Sequence, residues 1–146
     1  MSTEDLKSTT GYVFLAAGGA ITWKLKKQTI ITLSSTEAEY VALSEAGHKA
    51  IWLCNLYGEL GFIQQTPTII KGDNEGSVVL THNPQFHQSS KHIALRHHWV
   101  CDLVANNIID IQNCRNPQQT VDTLTKALPR PKYMWHREEM GVQSEY

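Results

Sequence analysis

Residues 34–40 read Ser-Ser-Thr-Glu-Ala-Glu-Tyr, and the way that stretch is read decides the fold. A Ser or Thr followed three residues later by Glu is helix-start chemistry: the hydroxyl oxygen caps free backbone N–H groups and the Glu reaches back. Ser34 with Glu37, or Thr36 with Glu39, could form such a box. The run just before it, residues 29–33 (TIITL), is β-branched and reads as a strand, so the stretch turns a strand into a helix with two carboxylates in its first turn. Those carboxylates are two residues apart, about 200° around a helix axis, so only one can face a given site. Taken alone, the pattern is a structural cap. A site reading needs further carboxylates at strand ends or helix starts, where they could converge on a metal.

Downstream of the turn, Ala42, Leu43, Ala46, Ala50 and Leu53 recur with the helical period, widened by Trp52 and Leu56, and predict one long helix from Thr36 to about Leu60 that packs on a sheet. Gly61 closes it. Gly47 inside it counts mildly against the helix, at about 1 kcal/mol relative to Ala. Upstream, residues 10–17 (TGYVFLAA) read as a strand, Gly18-Gly19 as a tight hairpin turn, and residues 20–26 (AITWKLK) as a half-buried strand with Ile21, Trp23 and Leu25 inward and Thr22, Lys24 and Lys26 outward.

The 146 residues, 41% hydrophobic and 18% charged, suffice for one domain with a real core, so residues 1–146 are expected to form a single domain, with 1–9 a lead-in and 129–146 a C-terminal extension. A formal net charge of −1 gives no global basic field, so nucleic-acid contact would have to come from local patches. Cys54, Cys101 and Cys114 form no CxxC pair, which excludes a thiolate zinc frame and suits a reducing compartment. No apolar run approaches the ~18 residues of a membrane span or forms a secretory leader. An intracellular location, cytoplasmic or nuclear, follows as the expectation.

Residues 68–71 (TIIK) predict a central strand that delivers Asp73 at its carboxyl end, the usual place for ligand chemistry in α/β sheets. Residues 74–80 read as a short helix and 81–90 as a loop. Residues 91–106 predict an amphipathic helix with a basic first half, residues 108–112 a last strand, and residues 121–128 a short helix with Asp122 in its first turn. Pro129-Arg130-Pro131 reads as a break, followed by a terminal helix over 132–142. Glu39, Asp73 and Asp122 thus each fall at the edge of an element. Three carboxylates so placed suit Mg²⁺, a hard cation that takes oxygen ligands. Acidic residues at helix starts also serve the helix dipole, so the pattern alone leaves both readings open.

The runs STTGYVF at 8–14, ITWKLKKQ at 21–28, LSSTEAEYVALSEA at 33–46, GDN at 72–74, KHIALRHH at 91–98 and TLTKALPRPK at 123–132 resemble, in order and spacing, the ribonuclease H domain of copia-type LTR retrotransposon polyproteins. The resemblance implies an α/β fold with a mixed five-stranded sheet in the order 3-2-1-4-5 and helices on both faces. It also implies an endonuclease dependent on Mg²⁺ (or Mn²⁺) that cuts the RNA strand of RNA–DNA hybrids through an Asp-Glu-Asp-Asp set. Matched residue by residue, the helix carboxylate falls on Glu39, with Glu37 the alternative, the strand-end carboxylate on Asp73 and the last on Asp122. The first Asp of the set lies on an opening strand before the STTGYVF segment, where this sequence has only residues 1–7, and Asp5 matches the following loop rather than that strand. Gly72, Glu75 and Ala94 depart from the residues usual in the family.

Two expectations follow. With three of the four carboxylates and no opening strand, the domain would be a degenerate ribonuclease H fold that binds Mg²⁺ weakly and nucleic acid or protein as a module. Alternatively it is an active endonuclease completed by an upstream segment or a partner chain. In either case Lys91, His92, Arg96, His97 and His98 form one basic patch and Lys24, Lys26 and Lys27 a second, both suited to hybrid phosphates. The histidines at 82, 87, 92, 97 and 98 share no helix face and predict no dedicated metal site. Trp23, Trp52, Trp99 and Trp135 lie in periodic apolar patterns and read as core or dimer contacts. A sheet edge left by the absent strand would favour a homodimer by strand addition or swap.

Overall fold

Helix α1 (Ser35–Glu59) begins where its capping residue places it. In a computed structural model, which describes residues 7–32, 34–72, 91–114, 120–125 and 127–143, Ser34 has extended backbone and its hydroxyl oxygen accepts the Glu37 N–H at 3.2 Å. The far end closes as the sequence predicts. Gly61 takes a φ of +88°, its N–H reaches the Gly58 carbonyl, and the Phe62 N–H reaches that of Tyr57. This is a Schellman closure, sealed by an edge-on contact between the Tyr57 and Phe62 rings.

The chain divides into two compact units, one formed by residues 32–114 and the other by residues 1–31 with 115–146. In the first, α1 packs against α2 (Lys91–Ala105), and β3 (Thr68–Gly72) pairs in parallel with β4 (Ile109–Asn113), in register from Thr68 opposite Ile109 to Gly72 opposite Asn113. The apolar face of α1 (Tyr40, Val41, Leu43, Ala46, Ala50, Leu53), that of α2 (Ile93, Val100, Leu103) and the inward Ile109 and Ile111 of β4 make the buried core. Ile69 points the other way and is exposed. Gly47, which weighs against a helix by propensity, has a packing reason: a Cβ there would meet Leu103 and Trp99 of α2 at 3.0–3.3 Å. Helix α2 ends in a second Schellman closure, with Asn107 at φ +59°.

In the other unit, β1 (Thr9–Ala16) and β2 (Gly19–Lys27) form an antiparallel hairpin running from Thr9 opposite Lys27 to Ala16 opposite Gly19, with an irregularity at Phe14/Leu15. The turn residues are Ala17 and Gly18, both at positive φ, one position earlier than the sequence suggests. A two-residue turn of this hand needs positive φ at both positions, and Gly19 is free to open β2 instead. Buried Gln28 donates through Nε2 to the Thr10 hydroxyl at 3.0 Å and its backbone N–H reaches the Ser8 carbonyl, closing the open end. Helix α3 (Asp122–Thr125) lies against β1, and α4 (Arg130–Glu139) returns to the turn, where the Ala20 N–H donates to the Met140 carbonyl at 3.0 Å.

Several expectations are corrected. Of the third strand expected over 29–33, residues 29–32 run out of β2 as bend and irregular backbone with Ile31 exposed, and Leu33 lies outside the described residues. A β-branched run favours extended backbone, but a strand exists only where it finds a ladder, and this run instead carries the chain from one unit to the next. Ile21, Trp23 and Leu25 are 41%, 62% and 49% exposed, so the apolar face of β2 is not the inward one. Alternation fixes which residues share a face and says nothing of which face is covered. Trp52 and Trp135 are exposed as well, while Trp99 is half-buried with the His48 ring stacked on it at 3.9 Å. Pro129-Arg130-Pro131 is no break: Pro129 precedes α4 and Pro131 sits in its first turn, where a missing N–H costs nothing. The architecture is mixed α/β as expected, but among the described residues the strands form two two-stranded sheets and no continuous five-stranded sheet. The short helix expected over 74–80 and the loop over 81–90 lie outside the described residues.

Candidate functional site

The three candidate carboxylates start from three different local structures. Only Glu37 lies in the first turn of α1, buried beside the Ser34 cap, whereas Glu39 follows just past that turn and is half-buried, so the helix start carries one carboxylate in its first turn and not the two expected. Their separation around the axis keeps them on different faces, as the spacing requires. Strand β3 ends at Gly72, whose carbonyl accepts the Cys114 N–H at 2.7 Å, so the parallel ladder runs to the residue before Asp73. Asp73 itself lies outside the described residues. Asp122 opens α3, only 4% exposed, with the Lys132 ammonium 3.8 Å from its Oδ2. Glu39 belongs to one unit and Asp122 to the other. Among the described residues no group of three or more His, Cys, Asp or Glu side chains stands close enough to hold a metal ion.

The donor chemistry nevertheless suits a hard dication. All three candidates offer carboxylate oxygens, the ligand class Mg²⁺ prefers, and the buried Asp122 carboxylate already faces a positive charge.

The basic residues fall into different environments. Lys91, His92 and His98 are exposed on α2, and Lys26 on β2, with Lys24 half-buried. Arg96 is half-buried and donates through Nη1 to the Ser44 hydroxyl at 2.6 Å, while that hydroxyl donates to the Val41 carbonyl, so Arg96 ties α2 to the first turns of α1. His97 leaves the patch altogether. It is fully buried on the core stripe shared with Ile93 and Val100, edge-on to the Tyr40 ring and 3.6 Å from the Cys101 sulfur. Helical spacing from Ile93 gave that signal; the run of cationic neighbours obscured it. Burial pushes the Tyr40 phenol far above its ordinary range, reinforced by the neighbouring Cys101, and burial with Asp102 pushes the Cys101 thiol up. Neither group ionises near neutral pH. All three cysteines are thiols.

One buried polar side chain had no sequence signal. His136 of α4 is wholly enclosed, and neither ring nitrogen has a hydrogen-bond partner among the described residues. Burial, helped by Lys132 one turn earlier and opposed by Asp122 and Glu139, lowers its pKa and holds it neutral. No helix among the described residues is long and apolar enough to cross a membrane.

Comparison with known proteins supports a retroelement-derived domain: nearly the whole chain is similar to the Pol polyproteins of copia-type transposons. It is 36% identical over 141 residues, 97% of its length, to the retrovirus-related Pol polyprotein from transposon TNT 1-94 of Nicotiana tabacum, covering 10% of that protein. It is 36% identical over 140 residues, 96% of its length, to the Pol polyprotein from transposon RE2 of Arabidopsis thaliana, again covering 10%. The chain therefore spans about one tenth of the length of these relatives. A shorter likeness, 54% identity over 50 residues, links 34% of the chain to 35% of secreted RxLR effector protein 161 of Plasmopara viticola. No family model matches the chain, and no solved structure matches it.

Proposed function

We propose that these residues form the greater part of a ribonuclease H domain that binds RNA–DNA hybrids and, on its own, hydrolyses them weakly or not at all. The observation that carries the reading is the colinear match to Pol polyproteins along 96–97% of the chain. In the five-stranded sheet of that fold, the antiparallel pair β1–β2 and the parallel pair β3–β4 would flank one central strand, and each pair is formed. Residues 1–146 offer Glu39, Asp73 and Asp122 toward Mg²⁺ or Mn²⁺. A fourth carboxylate, from sequence upstream of Ser8 or from a second chain, would complete the set. The relatives' much greater length favours the alternative role as one part of an active endonuclease, with that carboxylate brought in from outside these residues. A second copy lending a strand, in a homodimer, would serve the same end.

The binding surface would be sequence-tolerant. Lys91, Arg96, Lys24 and Lys26, with His92 and His98 beside them, would meet backbone phosphates; four such cations imply about a 100-fold loss of affinity between 50 and 200 mM salt. The test uses the purified chain with a labelled RNA–DNA hybrid in Mg²⁺ and in Mn²⁺, alongside Glu39→Gln. Salt-dependent binding with hydrolysis at least 10²-fold below that of a complete enzyme is expected, because one well-placed electrostatic group is worth about 10²–10³ in rate. Vigorous cleavage abolished by Glu39→Gln would establish the complete-enzyme alternative, and no hybrid binding at low salt would overturn both readings.

A further inference from the structure

We propose that the outer end of α1 is a self-pairing face, which docks antiparallel on the same face of a second copy of this chain. The buried stripe of α1 ends at Leu53, whereas Trp52, Leu56 and the cap residue Leu60 are 53%, 36% and 63% exposed. Steps of four residues advance only about 40° around the axis, so the three side chains make one row along the helix. Cys54, about 200° around from Trp52, faces the other way, its sulfur 3.5 Å from the Thr68 hydroxyl of β3. Apolar residues exposed singly are ordinary, but a continuous row of them marks a surface that another molecule covers.

Charge decides what covers it. Lys49 lies three residues before Trp52, and Glu59 three after Leu56. Positions 49 and 59 are equidistant from residue 54, and so are 52 and 56. A two-fold axis level with residue 54 therefore sets Trp52 against Leu56 of the second copy and Lys49 against its Glu59, each contact occurring twice. Lys49 already leans along the row, its ammonium 4.4 Å from the centre of the Trp52 ring. Glu59 ends a helix that has no basic residue in its last turn, where the negative end of the helix dipole disfavours a carboxylate; a lysine from the second copy relieves that repulsion. Nucleic acid suits the row less well, because Glu45 and Glu59 stand on either side of its lysine and repel phosphate. The row lies on a helix and not on a sheet edge, so this dimer is distinct from one made by lending a strand. A face three turns long is smaller than the roughly 800 Å² per partner of a standard interface, which puts the dissociation constant at about 10–100 µM.

The test is sedimentation equilibrium of the full chain from about 5 to 500 µM, for wild type, Lys49→Glu, Glu59→Lys, the Lys49→Glu/Glu59→Lys double variant and Trp52→Ser, each checked for helix content by circular dichroism. Wild type is expected to pass from monomer to dimer over that range. Each single reversal is expected to weaken association about tenfold, since it turns two attractive contacts per dimer repulsive, and the double variant to return within about threefold of wild type. Residues ten apart on one helix are too far apart to meet, so that rescue reports a contact between copies. Trp52→Ser is expected to weaken association about tenfold or more. A strict monomer at about 500 µM would overturn the proposal. So would a dimer indifferent to the single reversals, or one that the double variant fails to restore, since either uses another surface. If Trp52→Ser weakens binding of an RNA–DNA hybrid and leaves association unchanged, the row is a nucleic-acid platform and the self-pairing face falls.

Discussion

Replacing Gly141 by valine is expected to lower the melting temperature of the chain by about 10 °C. Gly141 has φ +72°, the left-handed region that a β-branched residue enters only at a cost of ~1–3 kcal/mol. Space adds a second penalty. A Cβ at this position would lie 2.8 Å from the Gly18 carbonyl oxygen and 3.0 Å from the Gly19 Cα, both backbone atoms of the β1–β2 turn that cannot rotate aside. The same glycine closes α4, donating to the Glu138 carbonyl, and sets Met140 to receive the Ala20 N–H. Valine would therefore strain the helix end and push it off the hairpin, for about 3–4 kcal/mol in all. Thermal unfolding followed by circular dichroism measures it. A shift below 2 °C would mean that the end of α4 does not rest on the turn.

The second large effect lies in the other unit. Gly47→Leu is expected to cost ~3 kcal/mol, while Gly47→Ala stays within about 1 kcal/mol of wild type. In alanine, the gain in helix propensity of about 1 kcal/mol opposes a crowded Cβ, 3.0 Å from Leu103 Cδ1 and 3.1 Å from the Trp99 ring. Those neighbours are side chains and can yield by tenths of an ångström. Leucine asks for room that the α1–α2 contact lacks, since Leu103 is buried and Trp99 is held by the stacked His48 ring. Urea denaturation of the two variants beside Leu103→Ala and the Gly47→Leu/Leu103→Ala double variant reads the coupling. Additive losses would show that residues 47 and 103 do not meet.

These glycines mark the boundary of what the sequence carries. Local chemistry was legible: Ser34 caps α1, Gly61 ends it, α2 spans Lys91–Ala105 within a residue of its predicted end, and Asp122 opens a short helix. Each of those features is decided within four or five residues by hydrogen bonds the backbone must satisfy. What failed depended on contacts between distant parts of the chain. The sequence cost of Gly47 could be read, but not the ring of Trp99, 52 residues further on, that makes the glycine necessary. The period of β2 was right and its covered face wrong, because alternation is symmetrical between faces until something packs on one. Residues 29–33 had the composition of a strand, yet residues 29–32 run as bend and irregular backbone. His97 looked cationic among its neighbours until helical spacing from Ile93 set it in the core.

The candidate site shows the same division. Motif spacing selected Glu39 and Asp122; Asp122 opens its helix, and Glu39 stands just past the first turn of α1. The shared ion proposed above depends on how the chain closes upon itself, which no local rule supplies. It can be measured by titrating Mn²⁺ into isotope-labelled chain and following paramagnetic broadening of amide resonances. The expected result is that one equivalent broadens Ala38, Glu39 and Tyr40 together with Val121, Asp122 and Thr123, and that Glu39→Gln reduces the broadening at both. Broadening confined to one of the two groups, or to neither, would contradict a shared carboxylate site.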